Sequence, residues 1–248
     1  MGFLKKILVS IMSVAVVGGL VFGLTNAFFS DTETSRGNLL QAGKLDLKID
    51  NTSYLNKATS SATTWTLKDL TSNDLFFNFT DLKPGDEGED TISIHVDDND
   101  AWACMEMTLT KDDDVDCTEP EKIDDPTCNE PNIDLFDGEL GGLLEFVFWT
   151  DDGDNVLEEN EPIIATGSAR NVLDSNIVLA DSATNNVGGV IGSPLTGGQT
   201  YNIGNAWCFG ALTPDPVNDN EGISPIINSG VKCDGISLNN ASQTDSIT

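Results

Sequence analysis

The residues best suited to chemistry lie in one acidic segment, residues 150–161. Counted back from Glu161 as the twelfth position, its spacing matches that of a calcium-binding loop. Calcium takes six to eight oxygen ligands, and alternate residues of such a loop turn their oxygens towards one centre. The predicted ligands are five carboxylates and one backbone carbonyl: Asp151, Asp152, Asp154, Glu158, Glu161 and the carbonyl of Val156.

Two positions of this segment depart from the usual calcium loop. The first position is Thr150 instead of Asp, so Asp151 or a water molecule would take its place. The sixth is Asn155 instead of Gly, which is tolerable because Asn accepts a left-handed backbone conformation. An acidic hairpin turn that binds no ion is the alternative. Residues 149–163 also resemble the calcium loops of secreted bacterial surface β-sandwich repeats.

Other residues that could do chemistry are few. The acidic run 111–116 lacks an orderly ligand spacing, so we interpret it as a solvated loop. The single histidine, His95, falls on the outward face of an alternating strand pattern. One histidine cannot form a His-Glu-x-x-His motif or an ordinary zinc site, and nothing around it suggests a Ser/His/Asp triad. We therefore predict that the chain is not an enzyme.

Charge and composition restrict the classes of partner that the chain can bind and indicate that it folds. The formal net charge of the 248 residues is −29. Removing residues 1–27 discards two lysines and no acidic residue, which leaves 10 basic residues against 41 acidic ones and a charge of −31. Such a surface repels nucleic acid and anionic lipid headgroups, so we expect no nucleic-acid partner. The apolar content of 39% is enough for a buried core and argues against disorder.

The first 27 residues have the three parts of a signal peptide. Lys5 and Lys6 supply the positive start, residues 7–24 are apolar, and residues 25–27 offer a cleavage site. A retained transmembrane anchor is the alternative, because the apolar run is close to the minimum length of a span. Either way the protein leaves the cytoplasm. We expect it to be secreted or at the cell surface, with membrane contact only through an uncleaved leader.

Short apolar runs separated by turn signals predict an all-β fold, a sandwich. Pro84-Gly85 is a strong turn signal, and residues 51–61 are polar and loop-like. Outside the leader no long helical period occurs, although residues 167–180 have room for a short helix. The predicted strands cover residues 44–50, 63–67, 75–80, 91–96, 101–110, 143–149, 162–165, 176–180, 199–203 and 205–210.

The segment after the leader resembles the N-terminal signature of a known family. The residues concerned are Ala27-Phe28-Phe29-Ser30-Asp31-Thr32-Glu33, Gly37-Asn38 and Ala42-Gly43-Lys44-Leu45-Asp46-Leu47, and the turn Leu82-Lys83-Pro84-Gly85-Asp86 is similar as well. The family is that of TasA and camelysin. The resemblance implies cleavage between Ala27 and Phe28 by a signal peptidase of the SipW type. It also implies a jelly-roll-like β-sandwich, here behind an N-terminal signal helix, that assembles into extracellular fibres of biofilm matrix.

In fibres of this kind the N-terminal segment of one subunit completes the sheet of the next. A head-to-tail contact repeated in this way gives an open filament. We therefore predict a secreted structural subunit that self-assembles by strand addition. The predicted organisation is a signal peptide (1–27), an N-terminal arm and donor strand (28–43), and a β-sandwich (44–248) with an acidic insertion (111–131).

Two other functions stay open at this point. One is a calcium-binding adhesive module at the cell surface, with its function in residues 150–161. The other, weaker, is a camelysin-like peptidase, because some members of the family have been classed as metallopeptidases. Relatives like this chain would continue from residues 239–247 into one more strand and a final cysteine, so we expect a last strand to be missing from the sequence.

The chain has an odd number of cysteines behind its export signal, where cysteines are expected to form disulfides. The insertion 111–131 suggests a hairpin-like segment held by its own disulfide, Cys117–Cys128. We pair Cys208 with Cys233, which leaves Cys104 free. The sequence alone permits other pairings.

Overall fold

A computed structural model describes residues 46–129, 135–218 and 224–248. They belong to one compact unit, Gly43–Thr248. The predicted signal peptide, its predicted cleavage site between Ala27 and Phe28, and the predicted arm of residues 28–43 lie outside the described residues. In the part of the chain that the structure describes, no helix is long and apolar enough to cross a membrane.

The described residues form strands and three single-turn helices. The helices are α1 (Glu121–Asp124), α2 (Leu140–Leu143) and α3 (Ala169–Val172). The strands are β1 (Asp46–Leu55), β2 (Ala58–Thr59), β3 (Trp65–Lys68), β4 (Glu87–Asp97), β5 (Ala103–Met107), β6 (Asp112–Asp114), β7 (Leu144–Asp151), β8 (Ile163–Ser168), β9 (Ser175–Ala180), β10 (Gln199–Phe209), β11 (Ala211–Pro214), β12 (Val231–Asp234) and β13 (Asp245–Ile247).

Seven strands make the main sheet, in the order β2-β1-β4-β10-β7-β8, with β3 also paired to β1. Three two-stranded sheets, β5–β9, β6–β13 and β11–β12, complete the fold. All of these pairs are antiparallel. Side chains of β5 and β9 pack with the inner face of the main sheet to form the principal core. The predicted all-β fold is confirmed.

The sequence pattern of the central strands explains why they lie between two layers. In β7 residues 146–149 are all apolar because both faces of the strand are covered there. Phe146 and Phe148 belong to the principal core, whereas Val147 and Trp149 pack on the other face with residues of the β11–β12 hairpin. In β4, by contrast, Ile92, Ile94 and Val96 are buried and His95 is half-buried on the outward face, as the alternation predicts.

Two predicted elements are wrong. Residues 75–80 form no strand, although three of their side chains, Phe76, Phe77 and Phe79, pack against the principal core. Phe77 meets Phe146 edge to face with ring centroids 5.4 Å apart, so burial comes from side chains without backbone pairing. Residues 51–61 are not a loop, because β1 continues to Leu55 and turns back into β2.

The polar residues of β1 escaped prediction because they are buried in a polar network. Asn51, Ser53 and Asp90 are each 0% exposed. The Asn51 side chain donates to the Asp90 carboxylate (3.0 Å) and to the carbonyl of Thr63 (2.8 Å). The predicted strands 199–203 and 205–210 are one strand, β10.

The acidic run 111–116 is not a solvated loop. Asp112 and Asp113 are 0% and 1% exposed, and with Asp114 they form β6, which pairs with β13 near the chain's end. Asp112 is compensated by Arg170, whose Nη2 lies 2.5 Å from its carboxylate. The two aspartates are therefore buried by contacts with residues far away in the sequence, and a local sequence pattern does not reveal such contacts.

The predicted cysteine pairs are present. Cys117 and Cys128 form one disulfide, with Cα atoms 5.3 Å apart, inside the acidic insertion. Cys208 and Cys233 form the other, with Cα atoms 5.4 Å apart, and tie β12 to the end of β10. Cys104 is free and exposed on β5.

Candidate metal centre and strand-docking groove

The predicted calcium loop connects β7 to β8 and begins with a tight turn. Gly153 (φ +115°) and Asn155 (φ +63°) both adopt positive φ, so Asn155 has the left-handed backbone conformation expected of it. Asp151 organises the turn, since its carboxylate accepts hydrogen bonds from the backbone N–H groups of Gly153 and Asn155, each at 3.2 Å. Asp154 Oδ1 accepts one from Val156 N–H at 2.9 Å.

Three of the predicted ligands meet at the mouth of this loop. Asp151, Asp152 and Glu161 each bring one carboxylate oxygen to within 4.8 Å of the others. Glu161 is held in place by the loop itself, because Oε1 accepts from Asp152 N–H (2.9 Å) and Oε2 from Glu158 N–H (3.0 Å). Asp151 is buried and Asp152 is exposed, so the cluster is open to solvent on one side only.

The electrostatics of this cluster favour a bound cation. Burial raises the pKa of Asp151 to about 7, and repulsion from Asp154 and Asp152 adds to the effect. Burial also raises the pKa of Glu161 to about 8, with further repulsion from Asp151 and Glu158. Among the described residues no lysine or arginine forms an ion pair with the three clustered carboxylates.

The remaining predicted ligands lie around the cluster and not in it. Burial raises the pKa of Asp154, as does repulsion from Asp152. Glu158 is 5% exposed and its backbone bridges to Val217. The side chain of Val156 is buried, and Leu157 N–H donates to the carbonyl of Ser229 (2.8 Å), so the second half of the loop is fixed against the protein.

Sequence reasoning missed a second carboxylate cluster. Asp114, Glu139 and Asp245 also bring oxygens to within 4.8 Å of one another. They come from β6, the residue before α2, and β13. No local spacing could have revealed them, because each is supplied by a different segment.

An apolar groove lies between the inner face of the main sheet and β5. It encloses about 440 Å³. β5 pairs with β9 along one edge, and no described strand pairs with its other edge, which borders the groove. A neighbouring cavity of about 520 Å³ shares Phe76, Phe77, Leu173 and Thr248 with it. The groove is lined on the sheet side by Leu47, Ile49, Ile92, Ile94 and Ile203 and on the β5 side by Ala103, Met105 and Met107.

The single histidine is already engaged. His95 Nε2 lies 2.6 Å from Asp50 Oδ2 on β1, and Nδ1 lies 2.9 Å from Thr200 Oγ1 on β10. These contacts link the outward face across three strands. A solvated strand histidine, as predicted, fits this position.

The family of the chain is shown by a match to its first half. The family described as camelysin metallo-endopeptidase matches residues 2–125. The chain belongs to the camelysin family. The resemblance of its N-terminal segment to TasA and camelysin is thereby confirmed. No curated protein and no solved structure matches the chain.

The camelysin match covers the predicted leader, the predicted arm and the strands up to β6, and it ends before residues 150–161. The family description implies a catalytic metal, and the donors found here do not suit zinc. Two of the three metal-capable clusters among the described residues are all-carboxylate, and the third needs the disulfide-bonded sulfurs of Cys117 and Cys128. Carboxylate oxygens suit calcium, whereas catalytic zinc sites use histidine or thiolate with an open position.

Proposed function

We propose that this camelysin-family protein is a secreted structural subunit of an extracellular fibre. Residues 28–43 of one copy add as a strand beside β5 of the next copy. The observation that carries the proposal is the unpaired edge of β5 beside an apolar groove. Exposed strand edges are liabilities that proteins usually cover, and an added strand is one way to cover them.

The groove suits a strand because its two walls offer different interactions. β5 offers backbone N–H and C=O groups along its free edge, which would set the affinity. Ala103, Met105 and Met107 turn towards the core and are half-buried. A strand lying beside them would place every second side chain over Ile49, Ile92 and the rest of the sheet's inner face, which would set the register.

The arm of residues 28–43 suits the groove in composition and length. It has apolar residues at both ends, Phe28 and Phe29 and then Leu39 and Leu40. Its net charge is −1, from Asp31, Glu33 and Arg36, against −29 for the whole chain. Two copies of this acidic chain repel each other, and a contact made through the weakly charged arm keeps that repulsion low. Extended at about 3.3 Å per residue, it would span roughly 50 Å, enough to reach a second copy.

Electron microscopy of the exported protein tests the proposal. We expect filaments from the wild-type protein and monomers from a variant that lacks residues 28–43. Met105→Lys should also abolish filaments, because it places a charge in the groove. Asn176→Lys introduces the same residue at an exposed position of β9, outside the groove, and should leave filaments intact. Circular dichroism would show that both variants are folded.

Two outcomes would reject strand addition. One is a wild-type protein that stays monomeric under all conditions, and the other is filaments indifferent to the deletion and to Met105→Lys. Monomers whose groove is filled by their own arm would show strand addition within one chain and would also contradict a fibre.

The loop at residues 150–161 supports a second function, calcium binding, with or without assembly. Its support is the meeting of Asp151, Asp152 and Glu161 without a paired lysine or arginine among the described residues. Calcium would be held there by carboxylate oxygens and would neutralise their repulsion. A monomer that needs calcium at this loop to adhere to a surface is the alternative to the fibre.

Thermal melts with calcium and with chelator test the loop. Calcium should raise the melting temperature of the wild-type protein, and Glu161→Gln and Asp154→Ala should reduce that rise. Glu159→Gln removes an exposed carboxylate of the same loop and serves as the matched control. A melting temperature that ignores calcium in all four proteins would reject calcium binding here without touching the fibre proposal.

For this chain we propose no peptidase activity, although its family is described as metallo-endopeptidase. The support is chemical: the sole histidine is paired with Asp50, and the carboxylate clusters suit calcium better than zinc. Peptide hydrolysis assayed with added zinc should be absent. Hydrolysis that purifies with the protein and is lost in His95→Ala would overturn this statement.

A further inference from the structure

Three carboxylates from distant parts of the chain are held together beside the acidic insertion. Asp245 on β13 lies directly opposite Asp114 on β6. Asp245 Oδ2 accepts hydrogen bonds from the backbone N–H groups of Glu139 (2.7 Å) and Leu140 (2.9 Å). One oxygen each of Asp114, Glu139 and Asp245 lies within 4.8 Å of the others. Backbone pairing, and not a loose surface loop, brings the three together.

Buried carboxylate oxygens around this cluster lack hydrogen-bond donors. Asp125 is 5% exposed, and its Oδ1 accepts from Thr127 N–H and Oγ1–H, while its Oδ2 is buried with no donor. The same is true of Asp137 Oδ1, Glu139 Oε2 and Asp245 Oδ1. A buried carboxylate oxygen without a partner is costly, and a hard cation satisfies several such oxygens at once.

Asp125 acts directly on the cluster. Burial raises the pKa of Glu139 to about 7, and of its charged neighbours Asp125 contributes most, ahead of Asp114. Burial and the charge of Asp125 also raise the pKa of Asp114. The charge of Asp125 therefore acts on two of the three clustered carboxylates.

The cations nearby are engaged elsewhere. Arg170 pairs with Asp112 (2.5 Å), and Lys111 pairs with Asp113 (2.5 Å). Across the described ranges, no lysine or arginine forms an ion pair with Glu139 or Asp245. The two aspartates that precede the cluster thus have ion pairs among the described residues, whereas Glu139 is affected by Arg170 only without an ion pair.

We propose that this cluster is a second calcium site. Asp114, Glu139 and Asp245 supply the ligands, and Asp125, which lies outside this group of three, adds negative charge that favours a cation. The spacing fits, because oxygens on opposite sides of a calcium ion lie about 5 Å apart when each is about 2.3–2.6 Å from the metal. With no histidine or free thiol in the cluster, calcium is favoured over zinc.

Such an ion would fasten the C-terminal strand to the insertion. It would join β6, the residues before α2 and β13. Thr248 follows β13, and its carbonyl accepts from Thr110 N–H (2.6 Å) and Lys111 N–H (3.0 Å). Thr248 also lines the apolar groove, so calcium would fix one end of that groove.

Calorimetric titration of calcium into the full chain, stripped with chelator, tests the site. Glu161→Gln serves as the background because it disables the loop at residues 150–161. This variant should still bind one calcium ion. Adding Asp114→Asn, or separately Glu139→Gln on another segment, should weaken that binding at least tenfold. Adding Glu119→Gln, an exposed carboxylate of the same insertion, should change nothing.

Hydrogen exchange supplies an independent readout. Calcium should slow exchange of the Glu139 and Leu140 amides, which donate to Asp245, in the wild type and in Glu161→Gln, and not in Asp114→Asn. If the wild type and Glu161→Gln each bind one calcium ion, and Asp114→Asn abolishes this binding, the result supports the second site and rejects calcium binding at residues 150–161. Glu161→Gln binding no calcium would overturn the second site. The second site would also be overturned if Asp114→Asn raised the melting temperature without calcium and left calcium binding unchanged. Asp114 and Asp245 would then share a proton in the wild type instead of binding an ion.

Discussion

Gly204 on β10 lies directly opposite Trp149 on β7, and the indole fills the space that a Cβ at position 204 would need. Gly88 on β4 stands in the same relation to Trp207 on β10. Trp149 faces the core under the β11–β12 hairpin, and Trp207 faces the principal core. The register of β4, β10 and β7 is therefore fixed by one tryptophan–glycine pair on each face of the sheet.

Gly204→Ala should destabilise the protein by about 2 kcal/mol, because the added methyl overlaps the buried indole and the core must shift. The free energy of unfolding from denaturant titration measures this. Gly142→Ala is the matched control, since a Cβ there would contact nothing within 4 Å. Equal losses in both variants, or none in Gly204→Ala, would contradict the packing described for Trp149.

Asp90 should make stability fall as the pH rises. Burial raises its pKa to about 7, opposed by hydrogen bonds from Asn51 and Ser53. Because the folded-state pKa lies above the unfolded value, the stabilisation is complete below about pH 4 and is lost as the pH rises through 7. Between pH 5 and 8 the loss should be about 2–3 kcal/mol.

Asp90→Asn should remove this share of the pH dependence, while other carboxylates with a raised pKa, such as Glu89, still contribute theirs, and it should be more stable than the wild type at pH 8. Asn keeps the acceptor for the Asn51 amide and carries no charge to bury. Denaturant titrations at several pH values measure both effects. Asp69→Asn, at an exposed position, should follow the wild-type curve. A wild-type stability that rises over the same pH range would contradict the prediction.

The Cys208–Cys233 disulfide should contribute about 3 kcal/mol, because it closes a loop with a sequence separation of 25 residues. It also holds the β11–β12 hairpin over Trp149 and Leu157. Cys208→Ser with Cys233→Ser should therefore lower the free energy of unfolding and increase the exposure of Trp149, seen in the fluorescence emission. Full stability and an unchanged spectrum in the double variant would show that packing alone holds the hairpin.

Local patterns predicted the main sheet because its strands carry their own signals. Ile92, Ile94 and Val96 alternate in β4, and residues 146–149 of β7 are all apolar, so the sequence predicts both strands. The left-handed conformation of Asn155 is predictable because few residue types other than glycine adopt it.

The predictions that are wrong concern residues whose structure depends on contacts with residues far away in the sequence. Residues 75–80 have the apolar run of a strand, yet they are buried through Phe77 and its neighbours without a strand to pair with. Asp112 and Asp113 have the composition of a solvated loop, yet β13 covers them. The cluster of Asp114, Glu139 and Asp245 depends on the same long-range pairing, so its residues carry no common signal in the sequence.

Cysteine cross-linking tests whether a strand adds beside β5 of a second copy. Cys104 is free and exposed on the outward side of β5, and the other four cysteines are in disulfides. A strand added beside β5 brings outward side chains within disulfide distance of Cys104 at alternate positions. One cysteine would be placed in the arm in turn, as Asn38→Cys, Leu39→Cys, Leu40→Cys and Gln41→Cys.

Each arm variant would also carry Cys104→Ala and would be mixed with the wild-type chain under mild oxidation. Only a bond between two chains can then form, and gel electrophoresis reports it as a covalent dimer. The account predicts dimers at every second arm position and little or none at the positions between. No dimers at any position, or equal yields at all four, would contradict it.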